Sequence, residues 1–343
     1  MSDELTTDER LATPVRLRLR VVVPLIIFLG LAIHYVLPRI ATIQGSLDVV
    51  RTLRWLPLMF AAAAQALSYV ANGSLLAIAV TFGGERLPLR RAIAIVMAAS
   101  TVCLVAGGVV GYAASVYQWT LRSGTRRNTA AIASAVPTAF DTGALLVFAL
   151  VSAAELLRHG QMTPAALRGV VIATALLLLA VAIAAYALIA PDRVRRILRP
   201  LLDRSRFRDR ANAVERTIRV LRRNLRGGGA RAAAAAVLNL VFDVTTLALV
   251  FRATGHPISA VVLLGGYGVP LLLGRSSLLP GGVAVVEIGM TAAYVSLGVP
   301  AGVAVVAVLA YRLLSFWLPT LVGIPIAVAL QTTTSSKRVD LAQ

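Results

Sequence analysis

Cysteine is nearly absent from this chain: 343 residues hold one, Cys103, inside an apolar run. A single thiol excludes a disulfide within the chain and any cysteine-based metal site. Histidine is almost as scarce, with three residues, two of them in loops. No HExxH or other zinc spacing occurs, no nucleophile-elbow pattern, and no convincing Ser/His/Asp set can be assembled. There is no Walker A pattern, so ATP-driven pumping by this chain alone is not expected. The chain is read as a non-enzyme with no cofactor and no metal. Charge is also sparse, at 14% of residues, and acid sparser still, with 15 Asp and Glu against 34 Lys and Arg. Finally, no soluble domain of useful size is seen; the longest polar stretch, Pro191–Arg231, is rich in arginine, with 14 in 41 residues.

What is abundant is apolar sequence, at 58% hydrophobic residues, which marks a polytopic membrane protein. The net charge of +19 is concentrated in loops beside apolar segments. Its simplest partner is a negatively charged membrane surface and not nucleic acid. Nine apolar segments can be drawn: Val21–Leu37, Leu56–Phe82, Ala92–Leu121, Ala130–Ala153, Gly169–Ala190, Ala232–Phe251, Ile258–Leu273, Val283–Leu297 and Gly302–Leu330. The first follows a polar, then basic, N-terminus and has no clear cleavage site, so it reads as a spanning helix and not a signal peptide. Ile258–Leu273 and Val283–Leu297 fall short of the roughly 20 residues a span requires. Ala92–Leu121 is long but interrupted by Gly107-Gly108.

Cytoplasmic loops of membrane proteins carry the excess of Lys and Arg. If all nine segments crossed from an inside start, the 14 arginines of Pro191–Arg231 would lie outside. If instead Ala92–Leu121 and Ile258–Leu297 each enter and leave on one side, 26 basic residues fall inside and 6 outside. The best all-crossing arrangement gives 23 and 10. The re-entrant arrangement is preferred. It predicts an all-α polytopic fold of about six spanning helices plus two re-entrant helical hairpins. The first half covers residues 21–153 and the second 169–330. The basic segment 191–231 and both tails, 1–20 and 331–343, are expected to be cytoplasmic. Each half then crosses three times, which inverts the second relative to the first, a recurrent transporter plan with its site at discontinuous helices. Gly107-Gly108-Val109 aligns with Gly281-Gly282-Val283 at an offset of 174, and Gly124 with Gly298. Such identities are cheap in a chain this rich in Ala, Gly and Val.

Ionisable residues inside apolar segments are functional candidates by default, because each costs roughly 2.5–3.5 kcal/mol at a helix centre. Here they are Asp141, Asp243, Glu287, Arg275 and Arg312, with His34 nearer a helix end, where an interfacial place suits it. Structural ion pairs that fix helix packing are the bland alternative. Pro280-Gly281-Gly282 must stop a helix, since proline removes a donor and glycine accepts positive φ. Broken backbone at depth survives where protein or a water-filled cavity covers it. A helix restarting near Val283 would aim free N–H groups into that cavity, where an anion such as phosphate fits. An ordinary surface turn is the alternative. Asn239 and Asp243, four apart, share a face, and Asp141 follows Pro137 by four. Tyr311, Arg312, Ser315 and Pro319 also recur at helical spacing, and Pro319 is expected to kink its helix. In the basic stretch, apolar residues at helical spacing between arginines predict an amphipathic helix on the membrane face, punctuated by Pro200 and Gly227-Gly228-Gly229. A solvated loop is the alternative.

The run "LLPGGVAVVEIGMTAAYVSLGVPAGVAVVAVLAYRLLSFWLPTLVGIP" resembles the last membrane region of the lysylphosphatidylglycerol synthase transmembrane family, the flippase-like domain of multiple peptide resistance factors. The family's Pro-Gly-Gly, nearby Glu, Gly-Val-Pro turn, Tyr-Arg-Leu and later Pro fall on Pro280, Gly281, Gly282, Glu287, Gly298, Val299, Pro300, Tyr311, Arg312, Leu313 and Pro319. Asp243 in "NLVFDVTTLAL" resembles the acid the family carries there. Two departures bear on substrate. The first hairpin reads "VAGGVVGYAAS" in place of a charged Pro-x-Arg-x-Gly-Glu type, and Ala284 replaces a usual glycine. No aminoacyl-transfer domain follows before Gln343. The resemblance implies lipid movement without lipid aminoacylation: a translocase of the bacterial inner membrane whose partners are membrane lipids, anionic ones first. An accessory subunit of an envelope glycosyltransferase system and an ion-coupled small-solute transporter are the alternatives. A homo-oligomer or an envelope-enzyme partner is left open.

Overall fold

The computed structural model describes residues 49–106, 108–158, 175, 205–276 and 280–339. The expected helix Val21–Leu37 with His34, both ends of the chain, Gly107, nearly all of Gly169–Ala190 and the start of the basic stretch lie outside the described residues. Among the described residues all regular structure is helical. In chain order it comprises α1 (Trp55–Phe82), α2 (Leu89–Ala106), α3 (Gly108–Arg122), α4 (Arg127–Arg158), α5 (Ser205–Ala253), α6 (Ala260–Gly265) and α7 (Gly268–Ser276). A 3₁₀ turn (Pro280–Gly282), α8 (Val285–Ser296), α9 (Ala301–Arg312), a π-helical turn (Leu313–Trp317) and α10 (Leu318–Val339) follow.

Four of these stretches are long and apolar enough to cross a membrane: Trp55–Phe82, Arg127–Arg158, Gly227–Ala253 and Ala301–Gln331. At about 1.5 Å per residue the shortest exceeds the ~30 Å hydrocarbon core. Their outer faces expose Met59, Phe60, Val147, Leu150, Leu321 and Val328, as a lipid-facing surface requires. α1 is rich in Ala and Leu, and its one proline, Pro57, sits in the first turn where the N–H has no helical partner in any case.

The long helices α1 and α5 pack along each other and form the centre of the molecule. Small residues and hydroxyls bring them close. Thr246 donates to the carbonyl of buried Ala61 at 3.3 Å, and Ser68 donates to the side chain of Asn239 at 2.7 Å. The expected break at Gly227-Gly228-Gly229 does not occur, because α5 runs unbroken from Ser205 to Ala253. Instead the Phe82 ring lies directly on Gly228, where any side chain would collide with it. Gly228 serves helix contact and not a turn.

α2 and α3 pack against each other, so the chain folds back on itself between them; α7 and α8 do the same around Pro280–Gly282. Each hairpin is clasped by the last helix of the other half. α10 packs on α2, and α4 packs on α7. Both contacts are made at glycine, as close helix approaches in membranes commonly are. Gly323 of α10 lies against Met97 and Thr101 of α2, and Gly268 of α7 lies against the backbone of Phe148 and Ala149 of α4. Thr101 also donates to the Thr320 carbonyl at 2.9 Å. The Pro280–Gly282 turn in turn touches both α2 and α3, so the two hairpins meet.

The segment drawn as Ile258–Leu273 is not one helix. It breaks at Gly266-Tyr267 into α6 and α7. Ser152 of α4 bridges the break, donating to the Gly265 carbonyl and accepting from the Val269 N–H at 3.3 Å. The Tyr294 ring occupies the space beside Gly266, and its hydroxyl donates to the Leu263 carbonyl at 2.8 Å. Tyr294 also meets Phe251 edge-on at 4.9 Å, in a buried cluster with Leu247, Met290, Val303 and Val308. The turn "SLGVPA" after α8 is built as its residues require. Gly298 takes φ 89°, Val299 N–H reaches back to the Tyr294 carbonyl at 3.0 Å, and Pro300 caps α9.

Candidate functional site

Between the hairpins and α1, α4, α5 and α9 lies a cavity of about 260 Å³. Eight of the residues singled out in the sequence line it: Asp141, Asn239, Asp243, Arg275, Gly281, Gly282, Tyr311 and Arg312. Pro280 opens the turn that carries two of them. Gly108 begins α3, whose Tyr112 reaches the cavity together with Ser100 of α2. Its neighbour Gly107 is outside the described residues. Glu287 does not line the cavity but stands behind its wall, bound to Arg312.

The hairpin turn is shaped by left-handed backbone. Gly281 and Gly282 take φ 61° and 66°. A Cβ on Gly282 would lie 2.8 Å from the Gly274 carbonyl oxygen, and one on Gly281 would strike the Phe316 ring. Ala284 also takes positive φ, 69°, as the N-cap of α8. It is the one described non-glycine residue to do so.

Three carboxylates surround the cavity, and each is held differently. Asp141 accepts from Asn239 Nδ2 at 2.8 Å and pairs with Arg275 Nη1 at 2.7 Å. Arg275 remains 35% exposed, which leaves its guanidinium accessible from the cavity. Glu287 pairs through Oε1 with Arg312 Nε at 2.6 Å. Arg312, only 6% exposed, reaches the Gly281 carbonyl through Nη2 at 3.3 Å and lies over the Phe316 ring at 4.3 Å. This one side chain therefore ties the hairpin turn, α8 and the π-turn together. Asp243 has no arginine partner among the described residues. Its Oδ2 accepts from two tyrosine hydroxyls, Tyr267 and Tyr311, each at 2.6 Å.

The sequence predicts a start of α8 whose free N–H groups face an anion in the cavity, and leaves Arg275 and Arg312 as functional groups or structural ion pairs. Both arginines hold carboxylates, and the first turn of α8 contains Glu287 itself, an acid where the helix dipole favours one. Pro319 does not act through a simple kink. A π-helical turn precedes it, with Leu318 N–H reaching the Leu313 carbonyl. Proline supplies no N–H to the turn before it, and the Ser315 carbonyl accepts from the Tyr69 hydroxyl at 3.2 Å instead. A π-turn inside a helix often marks a functional position.

Sequence reasoning missed the α1 contribution. Gln65, Ser68, Tyr69 and Asn72 all line the cavity; their spacing of three, one and three places them on one face of an otherwise apolar helix. It also missed Tyr267. The run Gly265-Gly266-Tyr267-Gly268 was the available signal, since three glycines there break the helix and turn the tyrosine towards Asp243.

A cavity lined by several charged and hydroxyl-bearing side chains and walled by apolar helices, two pairs of them folded into hairpins, defines a multi-pass membrane protein with a site for a polar group. Family comparison makes this specific: the lysylphosphatidylglycerol synthase TM region matches residues 19–323, and the chain belongs to that family. It is thereby a membrane protein of the lipid-modification and flippase-like type. Comparison with curated proteins finds no match.

Proposed function

We propose that the protein is a lipid translocase and not an enzyme: it carries the head group of a membrane lipid through this cavity while the acyl chains stay in the bilayer. The observation that carries the reading is the convergence of eight intramembrane polar, charged and hairpin residues on one cavity. Charged groups at membrane depth are costly and mark pathways. The volume, about 260 Å³, is slightly below the ~300–1,000 Å³ of pockets that enclose whole ligands. It suits a head group and leaves no room for chains.

The hairpins are read as re-entrant. α7 and α8 contain 9 and 12 residues, rising about 14 and 18 Å, roughly half of the ~30 Å core. The reciprocal clasp of α10 on α2 and α4 on α7 is what a two-fold relation between inverted halves would produce. In this reading the membrane is the bacterial inner membrane and both termini are cytoplasmic, the side that the arginine excess favours. Arg275, held at one nitrogen by Asp141 and still exposed, is the group a lipid phosphate meets first. Anionic phospholipids and lipid-linked phosphates are therefore the substrates to try before others.

The test is reconstitution. Purified protein in liposomes is expected to expose fluorescent lipid of the inner leaflet to a membrane-impermeant quencher, and Arg275→Gln should slow this at least tenfold. Wild-type protein that moves none of a set of anionic, aminoacylated and polyprenyl lipids overturns the proposal.

A further inference from the structure

The charges around the cavity do not balance. Arg275 is matched by Asp141 and Arg312 by Glu287. Asp243 is the third acid, and among the described residues no cation lies within ion-pair distance of it. The helices and turns packed about it present Tyr267, Tyr311, Arg275, Arg312, Asp141 and Glu287. The tyrosines are neutral donors, Arg275 acts on it only from a distance, and the remaining charges are engaged with each other.

A second observation concerns Gln65. Its side chain stands beside Asp243, and the residue is only 5% exposed. Its Oε1 is buried with no hydrogen-bond partner among the described residues. A buried acceptor on a cavity wall calls for a donor. A protonated Asp243 would supply it. A primary amide can donate through its nitrogen to a carboxylate and accept through its oxygen from a carboxylic acid. One residue thus serves both protonation states. A metal cation fits less well. The hydroxyls of Tyr267 and Tyr311 both point their protons at Asp243 Oδ2, and a cation would face the positive ends of those bonds.

We propose that Asp243 is a proton-loading site, and that movement of the head group is coupled to the exchange of one proton there. The coupling rests on the translocase reading above; the proton site itself does not. The site lies on the cavity wall and holds the carboxylate that no cation among the described residues balances.

Two measurements separate these statements. On purified protein, infrared titration should show a protonated-carboxyl C=O band that appears as pH falls and is missing in Asp243→Asn. Asp243→Glu should retain a titrating band at a shifted frequency. In liposomes, one proton per cycle means that one pH unit across the membrane shifts the steady-state leaflet ratio of the probe lipid by about tenfold. Asp243→Asn should show no such shift. A carboxyl band that titrates identically in wild type and Asp243→Asn overturns the site. Lipid movement that ignores the pH gradient, or follows sodium instead, overturns the coupling. Protein that moves no lipid yet shows the Asp243 band defeats the translocase reading and supports the proton site.

Discussion

Replacing Arg312 by methionine removes one guanidinium from three partners at once. Glu287 loses its only cation, the Gly281 carbonyl loses a donor, and the Phe316 ring loses its stacked charge. Glu287 is then a carboxylate, 17% exposed, with both oxygens unpaired, since Oε2 already has no partner among the described residues. Breaking a buried pair by removing one partner costs about 3–5 kcal/mol, and this geometry belongs at the upper end. Glu287→Gln should cost less, about 3 kcal/mol, because Arg312 keeps the carbonyl and the ring. The double variant should be destabilised by less than the sum of the two, by a coupling of about 3 kcal/mol, since neither charge is left alone. At roughly 2 °C per kcal/mol, as for large domains, Arg312→Met lowers the thermal midpoint in detergent by about 10 °C. By the same figures the double variant costs about 5 kcal/mol, so its midpoint falls no further than that of Arg312→Met alone. The assay is intrinsic-fluorescence thermal unfolding of the four proteins in one detergent. Strictly additive losses would refute the reasoning, because the pair would then not be a unit.

Ala284→Gly should stabilise the protein by about 1 kcal/mol, as relief of a left-handed alanine does, and raise the same midpoint; a drop would mean the methyl group packs usefully. Gly282→Ala should do the reverse by 2 kcal/mol or more, since φ 66° and a Cβ 2.8 Å from the Gly274 oxygen leave no room; wild-type stability would show that the turn is not held as described. With Cys103 replaced, cysteines at Ser123 and Ser296 should label from opposite sides of the membrane, and labelling from one side would defeat the inverted arrangement.

The sequence made the long helices legible because a span is defined by length and apolarity alone. Leu56–Phe82 differs from α1 by one residue at one end. The intramembrane charges were equally legible, since an acid in an apolar run is visible without a structure. Their pairing was not. Asp141 and Arg275 lie 134 residues apart in the chain, and nothing local indicates that they meet. The arginines' partners were hidden for the same reason, because an arginine shows its charge in sequence but not the carboxylate it already holds. Glycine was the least legible residue. The same residue type breaks the chain at Gly281 and Gly266 and yet runs through α5 at Gly227–Gly229 without interruption. What differs is the backbone: Gly281 takes the positive φ of a turn, whereas Gly228 stays helical under the Phe82 ring.

The clasp of α10 on α2 also constrains how the protein is made. α2 leaves the ribosome long before α10, and until Gly323 arrives Thr101 has no Thr320 carbonyl to meet. The first hairpin must therefore wait in the insertion machinery, or be shielded by lipid, while most of the second half is synthesised. Chains cut before α10 should be degraded and not merely inactive, so the cell's membrane proteases would be reading the same contact that joins the last helix to the first hairpin.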